Sequence, residues 1–163
     1  GERQRWFVYA TFGHTAASLD NLVNPIEDER DTIINVIPYC QFVENGLYEF
    51  LPQLSRGTGQ PQSMPRVEFT TVTLKPDVEK NFENALAAQQ SKLQGETLWY
   101  RMLAGGTTPR YVRLRPRQSL SEIIDGKNQQ GFDDQINNMI EKITIEILNL
   151  KPTMSYSVVT PSK

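Results

Sequence analysis

The sequence predicts an α+β fold built on an antiparallel sheet, and three observations support this prediction. From Arg66 onward, segments with strand and helix periodicity follow in the order strand, helix, strand, strand, helix, strand. The opening part of the chain resembles its closing part, which indicates an internal repeat. A run rich in glycine and proline lies between the two copies and is typical of a linker. The order of the elements is that of a ferredoxin-like sheet with helices on one face.

The internal repeat is carried by an aromatic strand motif that precedes a short helical segment. Residues 5–10, Arg-Trp-Phe-Val-Tyr-Ala, echo residues 110–115, and residues 15–20 echo residues 119–124. We therefore predict a partial ferredoxin-like repeat at 2–54, a linker at 55–65 and a complete ferredoxin-like repeat at 66–163. The partial repeat is expected to pack as a second half over the open face of the complete sheet, and a second chain is the alternative cover.

Strands and helices alternate within the partial repeat. Apolar residues on both faces of 6–12 predict a strand that is covered on both sides. A short helical turn is expected at 15–23, and a helix is expected from the acidic cluster at Glu27 to Pro38, because acidic residues favour a helix N-terminus and proline interrupts a helix. A strand is predicted at 47–51 and is expected to pair within this copy.

In the complete repeat, β-branched and aromatic residues at 66–74 predict a strand. The sequence Lys75-Pro76-Asp77 then opens a helix, whose buried stripe includes Phe82 and other apolar residues at spacings of three and four. Strands are predicted at 97–104 and 111–115, joined by a turn rich in glycine.

The closing part of the complete repeat begins with a helix start signal. Ser119 and Glu122 have the spacing of a capping box, which predicts a short helix. Apolar residues at helical spacing from Phe132 to Ile147 predict a longer helix, and the last strand is expected at 154–159.

Composition excludes several classes of function. The chain has 163 residues and a net charge of -2, so we expect no nucleic-acid partner. It has no apolar run long enough for a membrane span, and its single cysteine allows no intrachain disulfide. We expect no metal and no cofactor, because one histidine and one cysteine fall short of a zinc ligand set. Gly1 is typical of a residue left after tag removal, so the compartment stays open and an exported protein without its signal peptide is one expectation.

Several of these segments resemble a known superfamily. Residues 69–77 with Phe82 are similar to the strand, Lys-Pro-Gly, helix opening of dimeric α/β-barrel proteins, including the antibiotic-biosynthesis monooxygenase-like and NIPSNAP-like groups. Residues 100–106 with 111–122 are similar to the second half of that unit, and 6–10 with 16–20 to the first repeat of tandem bacterial members of unknown function, many of them exported. Asp77 stands where the usual pattern has glycine. The resemblance implies two sheets that face each other, in one chain or in a homodimer, around packed side chains or a small ligand.

Five residues are candidates for binding such a ligand. His14 is the only histidine and follows a predicted strand, although a loop histidine without a task is the simpler interpretation. Trp99 and Arg101 share one face of their strand. Tyr111 and Arg113 share a face of the next strand and could hold an anionic aromatic ligand between the sheets.

Each of these residues also has a structural interpretation. A pair between Arg113 and a cross-strand glutamate such as Glu68 is the favoured alternative to ligand binding. Val112 and Leu114 are expected to pack on the helices. The arginines at 110, 113, 115 and 117 are interpreted as a solvated strand edge or as salt-bridge partners. Glu49 is a weaker candidate for a general base.

Two functions from different classes follow. The first is a protein without catalytic activity that binds a small hydrophobic or aromatic molecule between its sheets, or that serves in self-association. The alternative is a cofactor-independent monooxygenase or isomerase acting on an aromatic substrate. The first is preferred, because no polar group of residues has catalytic spacing.

Overall fold

The computed structural model describes most of the chain from Asn45 onward. It covers residues 45–57, 64–90, 95–125 and 131–151, together with Val8, Ala10, Phe12, Gly13, Thr15, Ala17, Arg30, Ile34 and Pro38. The chain divides into two compact units, residues 1–45 and residues 46–163. The strand predicted at 47–51 therefore lies in the same unit as residues 66–163.

The second unit is built on a five-stranded antiparallel sheet with a few helices, which confirms the predicted α+β class. Its strands are β1 (Leu47–Phe50), β2 (Arg66–Leu74), β3 (Leu98–Ala104), β4 (Arg110–Arg117) and β5 (Ile140–Asn149), in the order β1-β3-β4-β2-β5. Its helices are α1 (Glu79–Gln89), α2 (Leu120–Asp125) and α3 (Asp134–Asn137), with a 3-10 turn at Pro52–Leu54. Among the described residues, no helix has the length and hydropathy needed to cross a membrane.

The sheet has two faces with different neighbours. The helix face, defined by Val72, Leu74, Trp99 and Tyr111, carries the side chains that pack with α1 and α3 in the core. The far face carries Val67, Leu98, Tyr100, Met102, Val112 and Leu114, and all six are buried. Tyr111, and not Val112 or Leu114, therefore packs beneath α1, and the prediction for these two residues was wrong. Alternation had separated the two sets correctly, but it does not say which set faces the helices.

Phe82 anchors α1 to the helix face. Its ring centroid lies 5.0 Å from that of Tyr111 and 6.0 Å from that of Trp99, and its side chain is completely buried. The contact with Trp99 is edge-to-face at 83°, a geometry that aromatic quadrupoles favour. The apolar stripe of the helix thus meets the ends of β3 and β4 that carry the predicted site residues.

The helix predicted from Phe132 to Ile147 is wrong. Only Asp134–Asn137 is helical, and Ile140–Asn149 forms β5 along the whole length of β2. The apolar spacing fits a helix, but Ile143, Ile145 and Ile147 also alternate as strand residues do. Pairing with β2 decides between the two periods, because it satisfies the backbone groups of ten mainly β-branched and polar residues.

β1 also differs from its predicted pairing. Tyr48 pairs with Met102 of β3, so β1 extends the main sheet and does not pair within a partial copy. Of the strand predicted at 6–12, the structure describes Val8, Ala10 and Phe12, and none of the three lies in a strand. The strand predicted at 154–159 lies outside the described residues.

Side-chain caps fix the two short helices. Ser119 Oγ accepts a hydrogen bond from the backbone N–H of Glu122 at 3.2 Å, and the Glu122 carboxylate accepts one from Gln118 N–H at 2.9 Å, which confirms a cap at the predicted position. Asp133 caps α3 by accepting from Ile136 N–H at 2.9 Å. Lys75 Nζ donates to the carbonyl of Asn138 at 2.7 Å, so the end of β2 is tied to the end of α3.

The turn from β2 into α1 requires an unusual backbone conformation at Asp77. Its φ angle is 62°, in the left-handed region that glycine adopts freely and that aspartate tolerates better than most residues. The glycine of the resembling proteins and the aspartate here therefore suit the same turn.

We expect Asp77→Val to lower the free energy of unfolding by about 1–2 kcal/mol, because a β-branched side chain is strained in the left-handed region. Asp77→Gly removes that strain but adds freedom to the unfolded chain, so we expect it to leave stability within about 0.5 kcal/mol of the wild type or to raise it. Urea unfolding of the two variants and the parent measures both effects. Equal losses in the two variants would contradict a role of the φ angle.

Candidate functional site

Four of the five candidate residues lie together on the helix face. Trp99 pairs in register with Arg113, and Arg101 pairs with Tyr111, so the four form a block across β3 and β4. His14 lies outside the described residues. The block packs with α1, whereas the sequence analysis placed it between two sheets. Its chemistry is therefore determined by α1 and by the strands beside it.

The centre of the block is an aromatic cluster. Trp99 and Tyr111 have 1% and 0% of their surface exposed, and both contact Phe82. The Phe132 ring lies 6.1 Å from Trp99 and 6.5 Å from Phe82. These rings fill the space between α1 and the sheet, so in this structure Trp99 and Tyr111 act as core residues.

One end of the block is a chain of polar contacts that reaches solvent. Tyr111 Oη donates to Glu83 Oε1 at 2.7 Å, and Arg101 Nη1 lies 3.3 Å from the same oxygen. Arg101 Nη2 also contacts Glu49 Oε2 at 2.6 Å. The hydrogen bond to Glu49 is the main cause of a raised pKa for Arg101. Glu49, considered as a general base, is thus the partner of a permanent cation.

Tyr111 is held in its protonated form at this end. Burial, followed by the hydrogen bond to the Glu83 carboxylate, raises the pKa of Tyr111 well above its ordinary value. The phenol is therefore a hydrogen-bond donor at neutral pH and is poorly suited to act as a base.

The other end of the block is a buried ionic cluster of Glu68, Arg113 and Arg115. Arg113 Nη2 lies 3.3 Å from Glu68 Oε1, and Arg115 Nη2 lies 2.5 Å from Glu68 Oε2. The side chains of all three are only 5–6% exposed. The predicted pair between Arg113 and Glu68 is confirmed.

The arginine ladder of β4 comprises Arg113, Arg115 and Arg117, which alternate onto the helix face. Each exposes only 4–6% of its surface, so the interpretation as a solvated edge is wrong and the interpretation as salt-bridge partners is confirmed. Arg117 Nη1 lies 3.3 Å from Glu122 Oε1, next to the cap of α2. The guanidinium of Arg113 also lies 5.0 Å from the centre of the Phe132 ring and 5.7 Å from that of Trp99.

Burial has the expected electrostatic effect on this ladder. Desolvation is the largest cause that lowers the pKa of Arg113, to about 10, and the charge of Arg115 lowers it further while Glu68 opposes both. Desolvation also lowers the pKa of Arg115. Both guanidinium groups remain charged at neutral pH, so the cluster holds two cations and one carboxylate.

Three members of this arrangement were not predicted from the sequence. Alternation placed Arg115 on the same face as Arg113 but did not make it a candidate. No sequence pattern placed Glu83 or Phe132 at the site, because Glu83 lies on α1 and Phe132 precedes α3, and only the tertiary structure brings them to β4. Among the described residues, no group of three histidine, cysteine, aspartate or glutamate side chains is arranged to hold a metal ion.

A pH experiment tests the state of Tyr111. A tyrosine in the unfolded chain ionises near pH 10.0, whereas the raised pKa keeps Tyr111 protonated in the folded protein. The folded state therefore binds more protons above that pH, and the stabilisation from Tyr111 is lost as pH rises. We expect the difference in unfolding free energy between the wild type and Tyr111→Phe to fall by up to about 1.4 kcal/mol per pH unit above pH 10.

Urea unfolding of both proteins from pH 8 to pH 11 measures this difference. Burial also raises the pKa of Tyr100 and lowers that of Arg113. Both residues are present in both proteins, so the effect of their titration on stability cancels in the difference. A difference that stays constant across the range would contradict the proposed protonation state.

No model of a known protein family matches the chain, and no curated protein matches it, so the site is interpreted from its own geometry. The resemblance to dimeric α/β-barrel proteins therefore stays a prediction that rests on the sequence motifs alone.

Proposed function

We propose that the chain is a ferredoxin-like binding protein without catalytic activity, whose principal partner is a second copy of itself bound along β5. The connections of the sheet support the ferredoxin-like part. β2 and β3 are both antiparallel to β4 and lie on either side of it, with α1 between them in the chain. β4 and β5 flank β2 in the same way, with α2 and α3 between them. Two interlocked split βαβ units are the ferredoxin-like arrangement.

The observation that carries the proposed self-association is an apolar stripe on an edge strand. β5 is the last strand of the described sheet, and Ile143, Ile145 and Ile147 are 44%, 56% and 41% exposed. Their register partners on β2, Val72, Thr70 and Glu68, are all buried. The side chains of the sheet are therefore covered as far as β2, and those of β5 are open to solvent. A ten-residue edge strand with exposed isoleucines is a template for pairing with another strand.

The charges of β5 favour a second copy as the occupant. If two β5 strands pair in antiparallel orientation about a two-fold axis at Thr144, Lys142 of each lies opposite Glu146 of the other. The same register places Ile143 opposite Ile145. A two-fold interface must be self-complementary, and in this register residues 142–146 are complementary in both charge and apolar surface, while Ile147 lies opposite Glu141.

Burial within the single chain favours this edge over a face-to-face dimer. Leu98, Met102 and Val112 of the far face are at most 5% exposed before any partner binds. Stacking a second sheet on them would gain little further apolar burial, whereas pairing at β5 would cover side chains that are now about half exposed.

The binding of a small hydrophobic or aromatic molecule between the sheets stays a prediction. The alternative function, a cofactor-independent monooxygenase or isomerase, also stays a prediction. The contacts of Trp99 and Tyr111 with α1 favour neither of them, because both side chains are already engaged in the core.

Charge reversal on β5 tests the proposal. We expect Lys142→Glu to weaken the dimer by about tenfold, because each of two symmetric contacts becomes a like-charge pair worth up to about 1 kcal/mol. The double variant Lys142→Glu, Glu146→Lys is expected to recover the parent dissociation constant. Ile145→Asp is expected to abolish dimerisation. Sedimentation velocity over a range of concentrations measures all of them.

Lys80→Glu is the matched control, since it makes the same charge change on the exposed side of α1. Its dissociation constant should equal that of the parent. A parent that stays monomeric at high concentration would overturn the proposal, as would a double variant that is no tighter than Lys142→Glu.

A further inference from the structure

We propose that Arg115 and Arg113 bind the carboxylate group of a small organic acid whose apolar part lies over the exposed isoleucines of β5. This site shares the exposed isoleucines of β5 with the self-association proposed above, but its polar groups lie on the helix face of a single chain.

The first observation is a set of buried donors without acceptors. Arg115 Nη1, Arg115 Nε and Arg113 Nε are buried and have no hydrogen-bond partner among the described residues. The side chain of Arg115 is only 5% exposed, and within the described part of the chain Nη2 is its one hydrogen-bonded atom, with Glu68 as the acceptor. A buried donor without a partner destabilises the folded state, and it does so more strongly when the group is charged. These donors therefore favour an acceptor that the described residues do not supply.

The second observation is an imbalance of charge. Glu68 is shared by Arg113 and Arg115, while Arg117 has its own carboxylate in Glu122. Counted over the described residues, one positive charge thus remains in a desolvated position, where an unpaired ion is costly. A single carboxylate restores neutrality and matches the fork geometry of a guanidinium.

The third observation concerns the surface beside the cluster. Ile147 is the register partner of Glu68 and Ile145 that of Thr70, whose hydroxyl lies 3.4 Å from Arg113 Nη2. These isoleucines are 41% and 56% exposed, so the helix face is open over β5 directly beside the buried cluster. A ligand that approaches over β5 meets apolar surface first, then Glu68 and Thr70 on β2, and the guanidinium groups of β4 at its inner end.

The exposed isoleucines of β5 and the buried guanidinium groups of β4 together determine the chemistry of the ligand. The charge imbalance calls for one negative charge, and the unpaired donors call for oxygen acceptors. The isoleucines favour an aliphatic or aromatic body attached to that group. A monocarboxylic acid of moderate chain length meets all three requirements, whereas inorganic phosphate lacks the apolar part.

Calorimetric titration with octanoate, acetate and inorganic phosphate, at fixed ionic strength, tests the proposal. We expect saturable binding of one octanoate per chain, at least tenfold weaker binding of acetate, and no competition by phosphate. Arg115→Met should weaken octanoate binding at least tenfold. The same variant should unfold in ligand-free buffer at a temperature equal to or above that of the parent, because it leaves Glu68 and Arg113 as a neutral pair.

Two further variants separate ligand binding from a structural role. Arg66→Met removes an arginine outside the cluster, on the neighbouring strand, and should bind octanoate as the parent does. Glu68→Gln removes the carboxylate that competes for both guanidinium groups and should raise octanoate affinity, a gain that a purely structural cluster would not show. If Arg115→Met fails to fold, the Glu68→Gln titration decides alone.

The proposal is overturned if the parent shows no saturable octanoate binding, if phosphate binds and octanoate does not, or if Glu68→Gln brings no gain in affinity. Repeating the titration with Lys142→Glu separates this result from the self-association. Octanoate should bind that variant at least as tightly as it binds the parent, because a weaker dimer leaves the isoleucines of β5 more exposed. Loss of binding there would overturn a site confined to one chain.

Discussion

The packing of Phe82 against Trp99 and Tyr111 is the contact on which the rest of this structure depends. It fixes α1 over the junction of β3 and β4 and thereby determines which side of the sheet becomes the helix face. The arginines of the site lie on the helix face for a related reason. Alternate residues of β4 point to the same side of the sheet, so its arginines share the face of Tyr111. The sheet therefore buries charged side chains on the same face as its aromatic cluster. Arg113 is stabilised both by Glu68 and by the rings of Trp99 and Phe132.

Local patterns in the sequence determined part of this fold. β2 occupies the predicted residues 66–74, since β-branched residues bounded by Pro65 and Pro76 admit few alternatives. β5 could not be identified, because isoleucines at 140, 143 and 147 fit a helix and those at 143, 145 and 147 fit a strand. Only the vacant edge of β2 decides between them, and that is a tertiary constraint.

The candidate site was predictable to a similar degree. Alternation and antiparallel pairing were sufficient to bring Trp99, Arg101, Tyr111 and Arg113 to one face and to suggest Glu68 as an ionic partner. They could not indicate whether that face meets a helix or a second sheet, since both surroundings select the same buried residues. The excess of cations over carboxylates was equally hidden, because Arg115 is distinguished from a surface arginine only by its burial.

The two edges of the described sheet differ in how well each can pair with a further strand. β1 is only four residues long, and its register with β3 shifts between Leu47 and Tyr48. Both features make the β1 edge less able to pair with a strand of another molecule. β5 is long and regular over most of its length. A long, regular edge strand offers a continuous row of backbone groups to a partner strand, and a short, irregular one does not. The irregular first strand thus makes the β1 edge of the described sheet a poor template for pairing with a further strand.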